Sequence, residues 1–237
     1  MNIHAFRAKL LEEIKSGIFQ EATKLPPEST LAQQFGVSRT FVRDSLAQLE
    51  GEGFISRRHG VGTTINRHVL AVTTRMDLEV EFSDMVREAG AVPSVEIIDI
   101  ATVNCDETLA QKLGTCVNTP ALAVTRIVSG DGIPVIYCVD YISFQIIKDY
   151  SYSQEDLGKP IFHFLKKYCD TDISMDLSVV EPMLASERLA SYLQVAVGDP
   201  IMMVDEIGYD LNGRRALYSE EYYVNRLFKH TVMRRKI

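Results

Sequence analysis

Apolar residues near the N terminus recur at the spacing of amphipathic helices. Phe6, Leu10 and Ile14 lie four residues apart and predict a helix within residues 4–18. A second pattern, over residues 28–35, predicts a shorter helix with one apolar side. Because each helix has one apolar stripe, the two are expected to pack together in a small helical core.

A third helix is predicted directly after a tight turn. Gly36 tolerates the left-handed conformation that a turn between helices requires, and Ser38 is a favourable N-cap two residues later. The buried stripe of this third helix is predicted to contain Val42, Leu46 and Leu49. Two helices joined across a glycine turn are typical of a helix-turn-helix unit.

The pattern weakens after this region and then changes. Residues 67–78 show neither strong helical periodicity nor a cluster of turn residues, and we interpret them as an interdomain linker that could pair locally as an extended strand. The linker separates a first domain, residues 1–66, from a second, residues 79–237. In the second domain a short helix pattern precedes a strand pattern over residues 94–105.

The second domain contains an internal repeat. Residues 109–137 match residues 189–218 with an offset of eighty that becomes eighty-one after one inserted residue. Each copy reads as a short helix, a loop with a proline, a strand, a turn and a returning strand. The hairpin turns are predicted at Asp131-Gly132 and Asn212-Gly213.

The repeat predicts an α+β fold for the second domain. Two helix-plus-hairpin units can pair their strands into one mainly antiparallel sheet, with the repeated helices covering one face. Between the copies the pattern predicts a helix over residues 155–168 and a strand over residues 173–184.

Polar residues occupy the exposed start of the third helix. Ser38, Arg39, Thr40 and Arg43 place two hydroxyl groups and two guanidinium groups off the apolar stripe. Such groups bind base edges and phosphates when the start of a recognition helix enters the major groove of DNA. The alternative is that both arginines are ordinary solvated charges on a helix surface.

Two short β-prone runs follow this helix within residues 54–66. They flank a basic tip that contains His59 and Gly60, which is the pattern of the wing in a winged helix-turn-helix. A glycine is also common at any hairpin tip, so Gly60 on its own is a weaker signal, and a purely structural role is its alternative.

Residues 25–62 resemble the signature of the GntR family of bacterial transcription regulators. The matching runs are LPPES, LA, GVSR, VRDSL and GEG, followed by a glycine-containing wing. The resemblance implies that Ser38, Arg39, Thr40 and Arg43 contact DNA, and that His59 and Gly60 reach the minor groove.

Two positions depart from the family pattern. Ser29 stands where the family usually has a DNA-contacting arginine, and Phe41 stands where a threonine is common. The operator preference of other family members therefore cannot be transferred directly to this chain.

The second domain is similar to the UTRA sensor domain of the HutC subfamily. This resemblance implies a chorismate lyase-like fold, joined to the winged helix-turn-helix, that binds a small anionic effector. It places Arg126, on the first strand of the first repeat copy, and Tyr223 at the effector site, and Glu206 is the repeat counterpart of Arg126. Where sugar-phosphate sensors carry further polar residues, this chain has Val128, Leu217 and Pro160.

Arg126 has two possible partners. It falls in an apolar row of its strand, where an unpaired charge would be unfavourable. Arg126 could pair with Glu206 across the repeat, or it could bind a carboxylate or phosphate of the effector through a forked hydrogen bond.

The charge is unevenly distributed along the 237 residues. The formal net charge is −7, but residues 1–68 carry nine basic and seven acidic side chains, a net +2, and the remainder carries a net −9. An acidic body discourages non-specific binding to DNA and confines the attraction to one face.

Composition excludes several other classes of protein. The four cysteines form no C-x-x-C pair and are expected to be small buried hydrophobic residues in a reducing cytoplasm. The histidines lack the spacing of metal ligands, so neither a metal site nor a cofactor is expected. No stretch reaches the length of a membrane span.

These patterns predict a cytoplasmic homodimeric repressor that binds double-stranded operator DNA and is controlled by a small effector. Dimerisation is expected because one recognition helix reads too few base pairs for genomic specificity. Two alternatives remain. The second domain could be a lyase-like enzyme, although no nucleophile-base motif is present, or the protein could bind DNA without any ligand.

Overall fold

The computed structural model of the protein describes residues 3–72 and 74–234. Two compact units are formed, one by residues up to Leu78 together with Met233 and Arg234, the other by residues Glu79–Val232. No helix in the described part of the chain is long and apolar enough to cross a bilayer.

The N-terminal unit combines helices with a three-stranded antiparallel sheet of order β1-β3-β2. Its elements are α1 (Ile3–Lys15), β1 (Lys24–Leu25), α2 (Glu28–Phe35), α3 (Arg39–Gly51), β2 (Ile55–Arg58), β3 (Gly62–Ile65) and α4 (Arg67–Leu70). The three predicted helices and the wing hairpin are confirmed. Gly36 ends α2 at a φ of 66°, in the left-handed region where glycine is favoured.

The core of this unit is formed by the stripes that the sequence predicts. Phe6, Leu10 and Ile14 of α1 have no exposed surface, and neither do Val42, Leu46 and Leu49 of α3. Removing this apolar area from water is what holds three short helices together, since isolated helices of 8–13 residues are marginal in water.

The interpretation of residues 67–78 as an interdomain linker does not hold for the start of this segment. Arg67–Leu70 form helix α4, and Val69 is 2% exposed in the core of the N-terminal unit. The Arg67 guanidinium donates hydrogen bonds to the carbonyl groups of Ile14 and Ala22, so the segment is fixed to this unit. The apolar pair at the end of α4 was too short to register as a helical pattern.

The C-terminal boundary also differs from the expectation. Met233, expected within a second domain of residues 79–237, packs against the core of the N-terminal unit. Its backbone N–H donates to Asp77 Oδ1 at 3.4 Å.

The C-terminal unit is built on one six-stranded sheet in which all neighbouring strands are antiparallel. Its elements are α5 (Phe82–Glu88), β4 (Pro93–Asn104), α6 (Glu107–Leu113), β5 (Pro120–Gly130), β6 (Ile133–Ser143), α7 (Gln154–Leu157), α8 (Ile161–Cys169), β7 (Ile173–Leu184), α9 (Glu187–Leu193), β8 (Pro200–Asp210) and β9 (Arg215–Tyr223). The predicted α+β fold with an antiparallel sheet is confirmed.

The strand order β4-β5-β6-β9-β8-β7 makes the internal repeat visible in space. Each half runs strand, helix, strand, strand, and the last strands of the two halves, β6 and β9, pair at the centre. The repeat extends upstream of the matched residues, because Asp106 caps α6 and Ser186 caps α9 with the same side-chain hydrogen bond.

Two details of this unit differ from the sequence prediction. The helix expected over residues 155–168 is divided into α7 and α8 at Pro160, because proline has no N–H to donate and disfavours helical backbone in the preceding residue. Cys116 is exposed rather than buried, whereas Cys105, Cys138 and Cys169 are buried free thiols.

Candidate DNA-binding surface and effector pocket

The start of α3 is fixed by its own cap. The Ser38 hydroxyl accepts a hydrogen bond of 3.2 Å from the backbone N–H of Phe41. Ser38, Arg39 and Thr40 are all exposed. The cap uses an oxygen lone pair and leaves the hydroxyl proton available to a phosphate or a base.

The two arginines of the helix are both exposed but differ in their partners. Arg39 has no ion-pair or hydrogen-bond partner among the described residues. Arg43 forms an ion pair with Glu28 of α2 at 3.2 Å, and its side chain is still 55% exposed. An exposed pair of this kind is weak in water, so a phosphate or base can replace the carboxylate.

The wing places further polar groups at the surface of this unit. His59 and Gly60 are exposed in the turn between β2 and β3, and Gly60 has a φ of 77°. Arg57 is held by Glu50 of α3 at 2.7 Å, whereas Arg58 is exposed and has no partner among the described residues. Arg58 is a candidate DNA contact that the sequence reasoning missed, although its place in the basic run beside His59 was a signal.

The two departures from the family pattern have different structural outcomes. Ser29 is exposed on α2. Phe41 turns inward, with its ring centroid 5.4 Å from that of Phe6. Phe41 therefore contributes packing to the core of the unit. Of the two departures, only Ser29 changes the exposed polar surface, where it places a hydroxyl group instead of a guanidinium group.

A pocket lies on one face of the C-terminal sheet and encloses about 520 Å³, including its opening to solvent. Its polar wall carries Arg126 of β5, Asp140 of β6, Glu206 of β8 and Glu221 of β9. Its apolar wall includes Val95, Val128, Ile161, Phe162 and Leu217. The pocket has the mixed apolar and polar lining of a site for a small metabolite.

Arg126 does not pair with Glu206, as one interpretation of the sequence proposed. Its guanidinium forms an ion pair with Asp140 on the neighbouring strand, and Nη1 donates to the backbone carbonyl of Lys159 at 3.0 Å. Ser219 donates to the other oxygen of Asp140 at 2.7 Å. Asp140 lies opposite Val124, two residues from Arg126 along β5, so the pair runs diagonally between the two strands.

Glu206 and Tyr223 have separate partners. The Ser178 hydroxyl donates to Glu206 Oε2 at 2.6 Å. The Tyr223 hydroxyl donates to Glu221, and Tyr223 itself is not among the residues that line the pocket. Of the three expected effector-site residues, Arg126 and Glu206 thus share the pocket, and Tyr223 is connected to it through Glu221.

Three acidic groups of the pocket bind their protons more tightly than free carboxylates do. Burial raises the pKa of Glu221 well above its usual value, and the neighbouring Glu206 carboxylate raises it further. Burial also raises the pKa of Glu206, although the hydrogen bond from Ser178 opposes this shift. Burial raises the pKa of Glu81, at the pocket mouth, to about 7, against the lowering effect of Arg126.

Three carboxylates beside the pocket are grouped closely. Oxygen atoms of Glu79, Asp176 and Glu206 lie within 4.8 Å of one another. Such a group could surround a cation, but Glu79 is exposed, and exposed acidic groups often cluster without binding an ion. The spacing alone does not identify a metal site.

Acidic side chains outnumber basic side chains in the lining of this pocket. The described lining residues include five carboxylates, those of Glu79, Glu81, Asp140, Glu206 and Glu221, and Arg126 is the one basic residue among them. Arg126 is already paired with Asp140, and the anionic character of the effector stays a prediction.

Comparison with known proteins agrees with both units. Residues 4–65 match the bacterial regulatory proteins of the gntR family, and residues 88–229 match the UTRA domain. The chain is 26% identical over 215 residues to the transcriptional repressor NagR of Bacillus subtilis, covering 91% of this chain and 87% of that protein. It is 22% identical over 214 residues to a probable fructoselysine utilization operon repressor of Escherichia coli, covering 90% and 86%.

Solved structures share the fold along almost the whole chain. The possible transcriptional regulator YydK of Bacillus subtilis superposes with a TM-score of 0.79 at 20% identity, covering 98% of this chain and 99% of that one. PhnF of Mycobacterium smegmatis superposes with a TM-score of 0.63 at 20% identity, covering 97% and 98%. The chain belongs to the GntR family of bacterial DNA-binding transcription regulators, in the HutC-type group that carries a UTRA domain.

Proposed function

We propose that this protein is a repressor that binds a palindromic operator as a homodimer and releases or retains it according to a small molecule in the C-terminal pocket. The observation that carries the DNA-binding part is the polar end of α3, where Arg39 is exposed and has no partner among the described residues. An unpaired guanidinium at the start of a recognition helix is available for bidentate contact with guanine or phosphate.

The wing and the helix start supply different contacts. Ser38, Thr40 and Arg43 belong with Arg39 to the surface that would face the major groove. His59 and Gly60 would lie at the minor groove, where the lack of a side chain at Gly60 permits close approach of the backbone to the sugar-phosphate chain. The weak pair between Arg43 and Glu28 would hold Arg43 in place before DNA arrives.

Control by an effector is supported by the pocket. A cavity with converging polar groups in a unit separate from the DNA-binding unit is the arrangement required for coupling between two sites. Because coupling between binding sites is reciprocal, the effector and the operator must alter each other's affinity by the same factor.

The test measures operator binding by the full-length protein. DNA ligands are selected from a random pool and labelled, and affinity is followed by fluorescence anisotropy. Arg39→Ala is expected to weaken specific binding by about 1–3 kcal/mol, because a bidentate base contact is lost. Arg87→Ala, which removes an exposed arginine from the C-terminal unit, serves as the matched control and should leave the affinity unchanged.

Two outcomes would contradict the proposal. An Arg39→Ala variant that binds the selected DNA as tightly as the unchanged protein would remove Arg39 from the interface. Selected sites without two-fold symmetry, bound by one chain per site, would exclude the homodimeric arrangement.

A further inference from the structure

The two halves of the C-terminal sheet carry opposite charges at one repeated position. Arg126 of β5 corresponds to Glu206 of β8, eighty residues later, and Asp140 of β6 corresponds to Glu221 of β9, eighty-one residues later. The register agrees, because Asp140 lies opposite Val124 and Glu221 lies opposite Val204, the repeat counterpart of Val124.

In the first half of the sheet the two charged positions therefore neutralise each other, whereas in the second half both positions carry acids. Arg126 and Asp140 form an ion pair with side chains that are 4% and 2% exposed. At the corresponding place in the second half two carboxylates, Glu206 and Glu221, are 8% and 6% exposed. Their hydrogen bonds come from the neutral hydroxyl groups of Ser178 and Tyr223, so no basic side chain of the described chain bonds to either acid.

Arg126 provides a second, independent observation. Its side chain lines the pocket and is almost completely buried, yet its Nε has no hydrogen-bond partner among the described residues. The cross-strand neighbour is Cys138, whose thiol is a weak acceptor. A buried N–H of this kind is unfavourable unless an acceptor atom reaches it.

We propose that the pocket binds a small organic cation, whose ammonium group pairs with Glu206 and Glu221 and whose hydroxyl or carbonyl oxygen accepts from Arg126 Nε. The ammonium group takes the place that a second arginine would occupy if the repeat were symmetric. This inference rests on the proposed role of the pocket as the effector site.

An organic cation fits the pocket better than a bare metal ion. Val128, Phe162 and Leu217 form an apolar wall against which a carbon skeleton can pack. A metal ion among Glu79, Asp176 and Glu206 would leave that wall unused.

Three probes of equal chain length test the charge directly. Aminopentanol carries an ammonium group and a hydroxyl group, hydroxypentanoate carries a carboxylate and a hydroxyl group, and pentanediol is neutral. Their binding to the full-length protein is measured by calorimetry, and by the thermal shift of tyrosine fluorescence. All ten tyrosines lie between Tyr137 and Tyr223, so this signal reports the C-terminal unit alone.

Aminopentanol should bind at least about tenfold more tightly than the other two probes, since the pocket offers charge pairing only to the cation. The isosteric variants Glu206→Gln and Glu221→Gln should each reduce this preference. Glu181→Gln, which changes an exposed acid on β7 outside the pocket lining, should keep it. Because the probe comparison in the unchanged protein is decisive by itself, the result does not depend on the folding of either pocket variant.

Several results would overturn the inference. These are tighter or equal binding of hydroxypentanoate, no binding of aminopentanol, and stoichiometric binding of calcium chloride that blocks aminopentanol. Failure of the proposed function is distinguishable, because it would appear as aminopentanol binding without any change in operator affinity. Release of the operator by a pocket-bound anion would instead support effector control and reject the cation.

Discussion

The two units of this protein use charge in opposite ways. At the start of α3 the basic side chains are exposed, and their contacts with neighbouring acids are few and weak. In the C-terminal pocket Arg126, Asp140, Glu206 and Glu221 are buried, and each has a specific hydrogen-bond or ion-pair partner. Exposed charge is retained at small free-energy cost and can be read from the sequence, whereas buried charge is expensive and acquires its meaning from tertiary structure.

The largest expected effect comes from breaking the buried pair. Arg126→Met leaves the Asp140 carboxylate buried with only the Ser219 hydroxyl, and should lower the free energy of unfolding of the C-terminal unit by about 3–5 kcal/mol. Urea titration followed by tyrosine fluorescence measures this change. The double variant Arg126→Met with Asp140→Leu should recover part of the loss, because no charge is left unpaired.

The control for this prediction is an exposed ion pair in the same unit. Lys148→Met removes the contact with Asp170, whose side chain is 79% exposed, and should change the stability by less than about 1 kcal/mol. Equal effects of the two single variants would mean that burial does not separate the two kinds of charge.

The second prediction concerns the exposed pair of the N-terminal unit. Arg43→Ala should weaken operator binding by about 1–3 kcal/mol if the guanidinium contacts a base. Glu28→Gln releases Arg43 from its partner and should leave the affinity equal or higher, because the competing carboxylate is removed. Anisotropy titrations of both variants at several salt concentrations test the pair. Weaker binding by Glu28→Gln would show that the carboxylate positions Arg43 rather than competes for it.

The smallest predicted effect is a pH dependence that belongs to the acidic pocket. Burial raises the pKa of Glu81 to about 7, and burial together with Glu206 raises that of Asp176 to about 7. The native state therefore keeps protons that the unfolded chain releases near pH 4, and the stabilisation present at low pH is lost as the pH rises toward 7. Because both acids are partly exposed, solvent screening reduces the full linkage value, and the C-terminal unit should lose about 1–2 kcal/mol of stability between about pH 5 and about pH 8.

This pH dependence is measured by urea titration with tyrosine fluorescence at each pH. The variant Glu81→Gln should flatten the curve, because a neutral amide binds no proton in either state. Glu155→Gln, which changes an exposed acid on α7, is the control and should keep the slope. A stability that rises over this interval would contradict the direction of the shifts.

The N-terminal unit could be predicted in detail because its determinants are local. Ser38 caps the helix that it precedes, Gly36 supplies the turn, and Val42 begins a stripe that is visible within thirteen residues. Helix α4 was missed because its few apolar residues form no pattern of their own and are buried only by contacts with other elements of the N-terminal unit.

The pocket could be predicted only in outline. The repeat located Arg126 and Glu206 on equivalent strands of one sheet, but the partner of Arg126 depends on which residue of β6 lies diagonally across the ladder. Asp140 is fourteen residues away in sequence, and no local pattern distinguishes it from other acids. The net charge of a cavity is a sum over several strands, so it emerges only from the assembled sheet.

The near-symmetric strand order has an evolutionary meaning. A sheet assembled from two copies of one unit contains the same pair of charged positions twice. One copy can therefore maintain the fold while the sequence of the other copy changes. A change between arginine and glutamate at position 206 would then determine whether the neighbouring acid is neutralised by a side chain of the protein or by a bound cation. A sensor could arise in this way from a structural duplication, without any new loop or domain.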